Sequence, residues 1–318
     1  MVSKVGKYIA GVIFFTFFVQ QVCYAQKDEQ YIGSFTQDIT ARTFISQMFT
    51  VLTYEDKDGN KVDYKPNSPL NIGLGFSYKK IGFSASYGVN LASNKNKGKT
   101  KALELQYHYY GRKIMFDLFL HRYRGFYIDT DYPKDDVYVQ RPDISMLQLG
   151  FFGQYVFNGD KFSYNAAFDQ NEKQKKSVGS LQVGTGLYYN QVRADSSLLK
   201  NTQVEPEKDI THVNNIQLGV SVGYSYTWVL KRFHITAAIA VGCNFGVMDI
   251  KNYKASGIDI YPSIFPRFAT GYNAKTWSLN LQVYTNLLYT TFTTNDKMSL
   301  STGNAQLTFI KRFNSPQR

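Results

Sequence analysis

The sequence predicts an all-β chain: a single antiparallel, up-and-down transmembrane β-barrel of about 12 strands, with 14 as the alternative. Three observations predict it. A two-residue alternation of apolar and small or polar residues restarts about a dozen times along the chain. Aromatic content is high, with 25 Tyr and 24 Phe, as a wall flanked by two aromatic girdles requires. Beyond residue 25 there is no apolar run long enough for a transmembrane helix, for which about 20 residues are needed.

Residues 1–25 read as a secretory signal peptide. Lys4 and Lys7 form the positive start, Ile9 to Val19 the apolar core, and Cys23-Tyr24-Ala25 the cleavage site. Residues 26–318 then form one barrel domain. After a polar lead (Lys27 to Ile39), the first strand candidate is Arg42 to Tyr54, followed by Leu70 to Tyr78 and Ile81 to Val89. Leu103, Leu105, Tyr107 and Tyr109 oppose Glu104, Gln106 and His108, and Leu147 to Phe157 alternates in the same way. The pattern is clearest from Ile216. Leu218, Val220, Val222, Tyr224, Tyr226, Trp228 and Leu230 share its face, while Gln217, Gly219, Ser221, Gly223, Ser225 and Thr227 fill the other. Trp277 to Val283 and Gly303 to Phe313 complete the series, and Leu307, Phe309 and Phe313 resemble an aromatic-ended closing strand read by barrel-assembly machinery.

Tight turns are expected at Lys79-Lys80, Gly111 to Lys113, Asn158 to Asp160, Lys231-Arg232 and Asn273 to Lys275. Long loops are expected at Glu55 to Pro69, Ala92 to Thr100, Asp129 to Asp143, Asp169 to Ser177, Arg193 to Val213 and Asp249 to Tyr261. The rule for such barrels makes the turns periplasmic and the loops extracellular. Loop parity slips between Gly179 and Val213, and thirteen segments compete for an even number of places. Frequent Gly and Ser on the wet face imply room inside the wall.

Charge and cysteine content narrow the function classes. A net charge of +12, less two for Lys4 and Lys7, suits anionic lipopolysaccharide or an anionic solute; no recognisable nucleic-acid reader accompanies it. Cys243 stands alone after cleavage, so neither a disulfide nor a cysteine metal cluster is expected. No cofactor or metal is called for. Lys97-Gly98-Lys99-Thr100 resembles part of a phosphate-binding loop, but position 93 is Ser93 and no helix follows. Asp129, Asp131, Asp135 and Asp136 lack the spacing of a calcium loop.

Two candidate sites emerge. Glu104, His108, Asp117, His121, Arg122 and Arg124 are expected to form a polar cluster in the lumen, where buried charges need partners. It would brace the wall, or supply acid–base groups to a membrane-embedded hydrolase or acyltransferase. Lys95, Lys97, Lys99, Lys101, Lys173, Lys175 and Lys176 are candidate contacts for anions or lipopolysaccharide. If the Gln170 to Ser177 stretch folded inward, its lysines would select anions.

Tyr64-Lys65-Pro66-Asn67-Ser68-Pro69-Leu70-Asn71, Lys97 to Thr100 and Arg122-Tyr123-Arg124-Gly125-Phe126-Tyr127 resemble an uncharacterised Bacteroidetes family of outer-membrane proteins, classed as a domain of unknown function. Arg141-Pro142-Asp143, Phe162 to Phe168, Gln170 to Ser180, Ala194-Asp195-Ser196-Ser197, Gly271-Tyr272-Asn273 and Thr302-Gly303-Asn304 extend the resemblance over nearly the whole chain after residue 25. It implies a barrel in the outer membrane of a Gram-negative bacterium and assigns no site residues. The leading functional expectation is a narrow channel or transport-related envelope protein. The alternatives are a non-conducting barrel that contacts lipopolysaccharide, a glycan or an envelope partner, and then the membrane-embedded enzyme.

Overall fold

Alternation along this chain becomes a closed antiparallel wall. The computed structural model describes residues 27–37, 39–55, 58–78, 81–89, 95–129, 138–198, 210–251, 258–291 and 297–314. The expected signal peptide, the turn expected at Lys79-Lys80, and Asp131, Asp135 and Asp136 lie outside the described residues. Three short strands, β1 (Ile32–Ser34), β3 (Lys61–Lys65) and β9 (Glu172–Gln174), accompany the wall. Twelve long strands are described: β2 (Ile39–Glu55), β4 (Leu70–Tyr78), β5 (Ile81–Val89), β6 (Lys101–Tyr110), β7 (Ile114–Asp129), β8 (Val139–Val156), β10 (Val178–Arg193), β11 (His212–Leu230), β12 (Phe233–Ile250), β13 (Asp259–Asn273), β14 (Trp277–Thr291) and β15 (Lys297–Phe313).

Ring closure comes from β15 pairing along the whole of β2, from Lys297 opposite Glu55 to Phe313 opposite Ile39. From β7 to β15 every wall strand pairs with the next. Between β2 and β7 the wall changes along its height. At the loop end, β3 joins Leu52–Glu55 of β2 to Tyr127–Asp129 of β7, which completes a ring of ten. At the short-turn end, β4 pairs with Ile39–Ser46 of β2 and carries β5, while β6 pairs with Met115–Arg124 of β7. Among the described residues β5 and β6 share no ladder, so the twelve-stranded half carries a lateral seam. The sequence placed β3 inside a loop.

Outward faces are apolar, and inward faces are withdrawn from water except beside the β5–β6 seam, where Ser84 and Ser86 are exposed and Glu104, Gln106 and His108 are half-buried. On β11, Ile216, Leu218, Val220, Val222 and Tyr224 are exposed, Val220 by 59 %, while Asn215, Gln217, Ser225 and Thr227 are buried. A water-facing strand would show the reverse, so this wall is built for lipid. Aromatic rings circle the short-turn end on the outside: Tyr155 with Phe157, Tyr226 with Trp228, Phe233 with Tyr272, and Tyr272 with Trp277, at centroid distances of 4.8 to 5.2 Å. Such amphipathic rings suit a membrane interface. At this end, Leu230 and Phe233 pair across a two-residue turn in which Lys231 adopts φ 60°, a conformation favoured in tight hairpins.

The barrel interior is packed. Near the loop end, Leu52, Tyr64, Tyr123, Phe126, Met146 and Met248 form one apolar cluster, capped by Ala194, Leu198 and Ile210. Near the short-turn end, Phe119, Phe152, Phe162, Tyr164, Tyr188 and Phe265 form a second. Room left by Gly73 and Gly150 is taken by neighbouring rings. A Cβ at Gly150 or Gly73 would collide with Phe119 or Phe44, the residue directly across the ladder, a ring-over-glycine arrangement that pins register.

One connection breaks the expected loop rule. Residues 157–177 join β8 to β10 at the short-turn end, yet they are long. Lys161 to Phe168 alternates in sequence like a strand, between the turn expected at Asn158 to Asp160 and the loop expected from Asp169. Instead it turns inward as a π-helical turn at Asn165–Asp169, with Phe162, Tyr164, Ala166, Ala167 and Phe168 buried. It is therefore no wall strand, which restores an even count among the long strands.

Candidate functional site

Alternation fixes which side chains meet inside. In the β6–β7 ladder, Glu104 lies opposite His121 and His108 opposite Asp117, all on the inward face. His108 Nδ1 is 2.6 Å from Asp117 Oδ1 and donates to it. Arg267 of β13 crosses the interior to donate to Asp117 Oδ2. Its guanidinium also lies over the rings of Phe152 and Tyr284, at 5.5 and 5.8 Å. Asp117 thus serves two donors, and the buried guanidinium has a counter-ion.

A second chain of bonds runs beside it. Tyr284 donates its hydroxyl to Gln106 Oε1, and Gln106 Nε2 donates to His121 Nε2 at 3.0 Å. Nε2 is therefore the acceptor, and His121 Nδ1 carries the proton that it shares with Gln148 Oε1 at 3.2 Å. Tyr123 donates to Glu104 Oε1 at 2.6 Å. Each imidazole is held by its neighbours, and among the described residues neither hydrogen-bonds a Ser, Thr or Cys. The network links β6, β7, β8, β13 and β14 across the interior, and its chemistry is that of a brace. No group of three described His, Cys, Asp or Glu side chains is placed to hold a metal ion.

Four of the six cluster residues predicted from sequence therefore converge: Glu104, His108, Asp117 and His121. Arg122 and Arg124 do not. They alternate with buried His121 and Tyr123 and are exposed on the outer wall, because neighbouring strand residues point to opposite faces. The sequence reading missed Gln106, Gln148, Arg267 and Tyr284. Strand parity carried the signal for Arg267, since Tyr261, Ser263, Phe265 and Ala269 share its buried face.

The predicted basic residues separate to opposite ends. Lys95 is exposed in a 3-10 turn at the loop end. Lys97 reaches Tyr127 Oη at 3.3 Å and lies 4.8 Å from the ring centroids of Tyr127 and Tyr138. Lys99 and Lys101 are exposed. Lys173, Lys175 and Lys176 belong to the short-turn end. Lys175 donates to the Glu29 carbonyl at 2.8 Å, and Lys176 to Gln30 Oε1 at 3.2 Å. They form neither one anion patch with Lys95–Lys101 nor a ring of charge in the lumen.

The inward segment 157–177 is held on every side. Arg112 pairs with Glu172, which also accepts from Ser163 Oγ at 2.7 Å. Arg312 donates to the Gln170 carbonyl at 2.7 Å, Arg42 pairs with Asn171, and Asn280 reaches the Ala167 and Phe168 carbonyls. Tyr164 shares a hydrogen bond with Ser225 at 2.7 Å. Strand β1 pairs with β9 beneath it. Gln170, at φ 52°, ends the π-helical turn.

A closed antiparallel wall, apolar outside and packed inside, defines a transmembrane β-barrel protein. The chain belongs to the family described as domain of unknown function DUF4421, whose model matches residues 26–313. No curated protein matches it in sequence. Among solved structures it is similar to the translocator domain of the autotransporter NalP from Neisseria meningitidis, at 12 % identity, covering 86 % of this chain and 88 % of that one, with a TM-score of 0.41. It is also similar to the outer-membrane protease OmpT from Escherichia coli, at 9 % identity, 88 % and 98 % coverage and a TM-score of 0.38. The P. putida toluene transporter TodX gives 9 %, 87 %, 91 % and 0.30. Likeness at that level carries no argument about activity.

Proposed function

We propose that this protein is a non-conducting outer-membrane barrel with a structural or binding role in the cell envelope. The observation that carries this reading is the state of the interior. Inward side chains are buried or half-buried along the wall strands except on β5, where Ser84 and Ser86 are exposed, two apolar clusters fill both halves, and residues 157–177 occupy the short-turn mouth. A narrow channel, the leading expectation from sequence, needs a continuous wet path, and two of the inward glycines that suggested room inside, Gly73 and Gly150, are covered by the rings of Phe44 and Phe119. The enzymatic reading rests on His108 and His121, and among the described residues neither hydrogen-bonds a Ser, Thr or Cys.

In this reading the short-turn end is periplasmic, and the insertion seals that mouth while the buried ion pair fixes the spacing of opposite walls. Swelling of liposomes that contain the refolded protein tests it. The expected result is no swelling in small sugars or salts above protein-free vesicles. Solute-size-dependent swelling would favour the channel.

A further inference from the structure

We infer that the outer wall across β6, β7, β8 and β10 carries a binding site for one phosphate-bearing, multi-acyl glycolipid of the outer leaflet, of the lipid A type. Two independent features meet there. The first is a row of cations. Lys101 lies opposite Arg124, Arg124 opposite Ser145, and Ser145 opposite Arg193, so consecutive strands present Lys, Arg, Ser and Arg on the outward face. Arg122, one step down the same face, lies between Leu103 and Leu147. All four cations are exposed, and among the described residues none has a carboxylate within ion-pair reach. Like charges this crowded repel one another unless an anion sits between them. Three strand spacings of roughly 4.8 Å separate Lys101 from Arg193, a width of about 14 Å that suits a headgroup with more than one phosphate.

The second feature is an apolar trough directly below. Leu105, Tyr107, Leu118, Leu120, Leu149 and Leu187 line a shallow depression of about 530 Å³ that opens to the outside of the barrel. The register places it immediately beneath the cations. Leu105 opposite Leu120 and Leu149 forms the next row, and Tyr107 opposite Leu118 and Phe151 the one after. Charge above and trough below match a lipid whose phosphates lie at the interface and whose acyl chains run down the wall. Single-chain or uncharged lipids satisfy only half of the site. The bulge at Gly125, where the β7–β8 register shifts, helps to set this edge by interrupting the regular ladder just above Arg124.

The site rests on the outer-membrane reading but not on the closed lumen, so a conducting barrel would leave it standing. The test is binding of the refolded full chain in detergent, followed by native mass spectrometry. Its probes are bisphosphorylated hexa-acyl lipid A, the phosphate-free form, the deacylated headgroup and phosphatidylglycerol. Heat-shifted gel mobility verifies that each variant is folded. Bisphosphorylated lipid A is expected to bind about tenfold or more tighter than any other probe. The R122Q/R124Q and K101Q/R193Q variants are expected to lose about tenfold or more of that affinity. The control K231Q/K275Q, at the opposite end, is expected to stay within about twofold of the parent. Equal binding of the phosphate-free, deacylated or phosphatidylglycerol probe would overturn the inference. So would R122Q/R124Q that is folded and binds undiminished.

Discussion

Removing the carboxylate of Asp117 should expose how the barrel is braced. Asp117 and Arg267 are each 5 % exposed, and Asp117 accepts from both Arg267 and His108. In Asp117→Ala the guanidinium stays buried against Phe152 and Tyr284 with no counter-ion. Breaking a buried pair by removing one partner costs about 3–5 kcal/mol, which at 1.4 kcal/mol per tenfold is on the order of a thousandfold in the folding equilibrium. Replacing both members, as in D117L/R267M, removes the stranded charge and should recover most of that loss, since apolar replacement of a buried pair is often neutral or better. The assay is reversible urea unfolding in lipid vesicles, read from the fluorescence of the two tryptophans, Trp228 and Trp277. Both lie on strand ends outside this network. An Asp117→Ala loss below about 1 kcal/mol, or a double variant as unstable as the single one, would refute the bracing argument.

Two other outcomes follow from local geometry. Gly125 sits at φ 91°, and a Cβ there would run into the Lys99 carbonyl. Gly125→Val should destabilise the barrel by about 2 kcal/mol or more, measured in the same unfolding assay, whereas unchanged stability would contradict a strained bulge. Cys243 is exposed on the lipid-facing side of β12, opposite Val220 and Pro262. In intact proteoliposomes it should react with a membrane-permeant maleimide and resist a charged one until detergent is added. Rapid reaction with the charged reagent would place this face in water.

Much of the wall was legible because each long strand exposes one face to lipid and buries the other, and that contrast is written residue by residue. From Ile216 to Leu230 the sequence pattern and the exposed set coincide except at half-buried Tyr226. Legibility failed where an element is short or serves tertiary packing. Lys61 to Lys65 of β3 alternates, but five residues are too few to stand out from the polar loop around them, and their role depends on β2 and β7, which lie on either side only after folding. Phe162, Tyr164, Ala166 and Phe168 alternate as a strand would, but a period of two over eight residues does not reveal that the barrel mouth is where they bury. The candidate cluster shows the same division. Glu104, His108, Asp117 and His121 follow from strand parity, whereas grouping Arg122 and Arg124 with them followed charge and ignored parity. Arg267 lies some 150 residues away from Asp117 in sequence, and only the closed topology brings them together.

A barrel packed in this way is closed to ions. Single-channel recording in planar bilayers, with folding of the inserted protein verified by heat-shifted gel mobility, tests it most directly. A packed interior gives a flat baseline, without discrete current steps, in symmetric and in asymmetric salt. Stable openings of reproducible conductance and ion preference from the folded protein would contradict it.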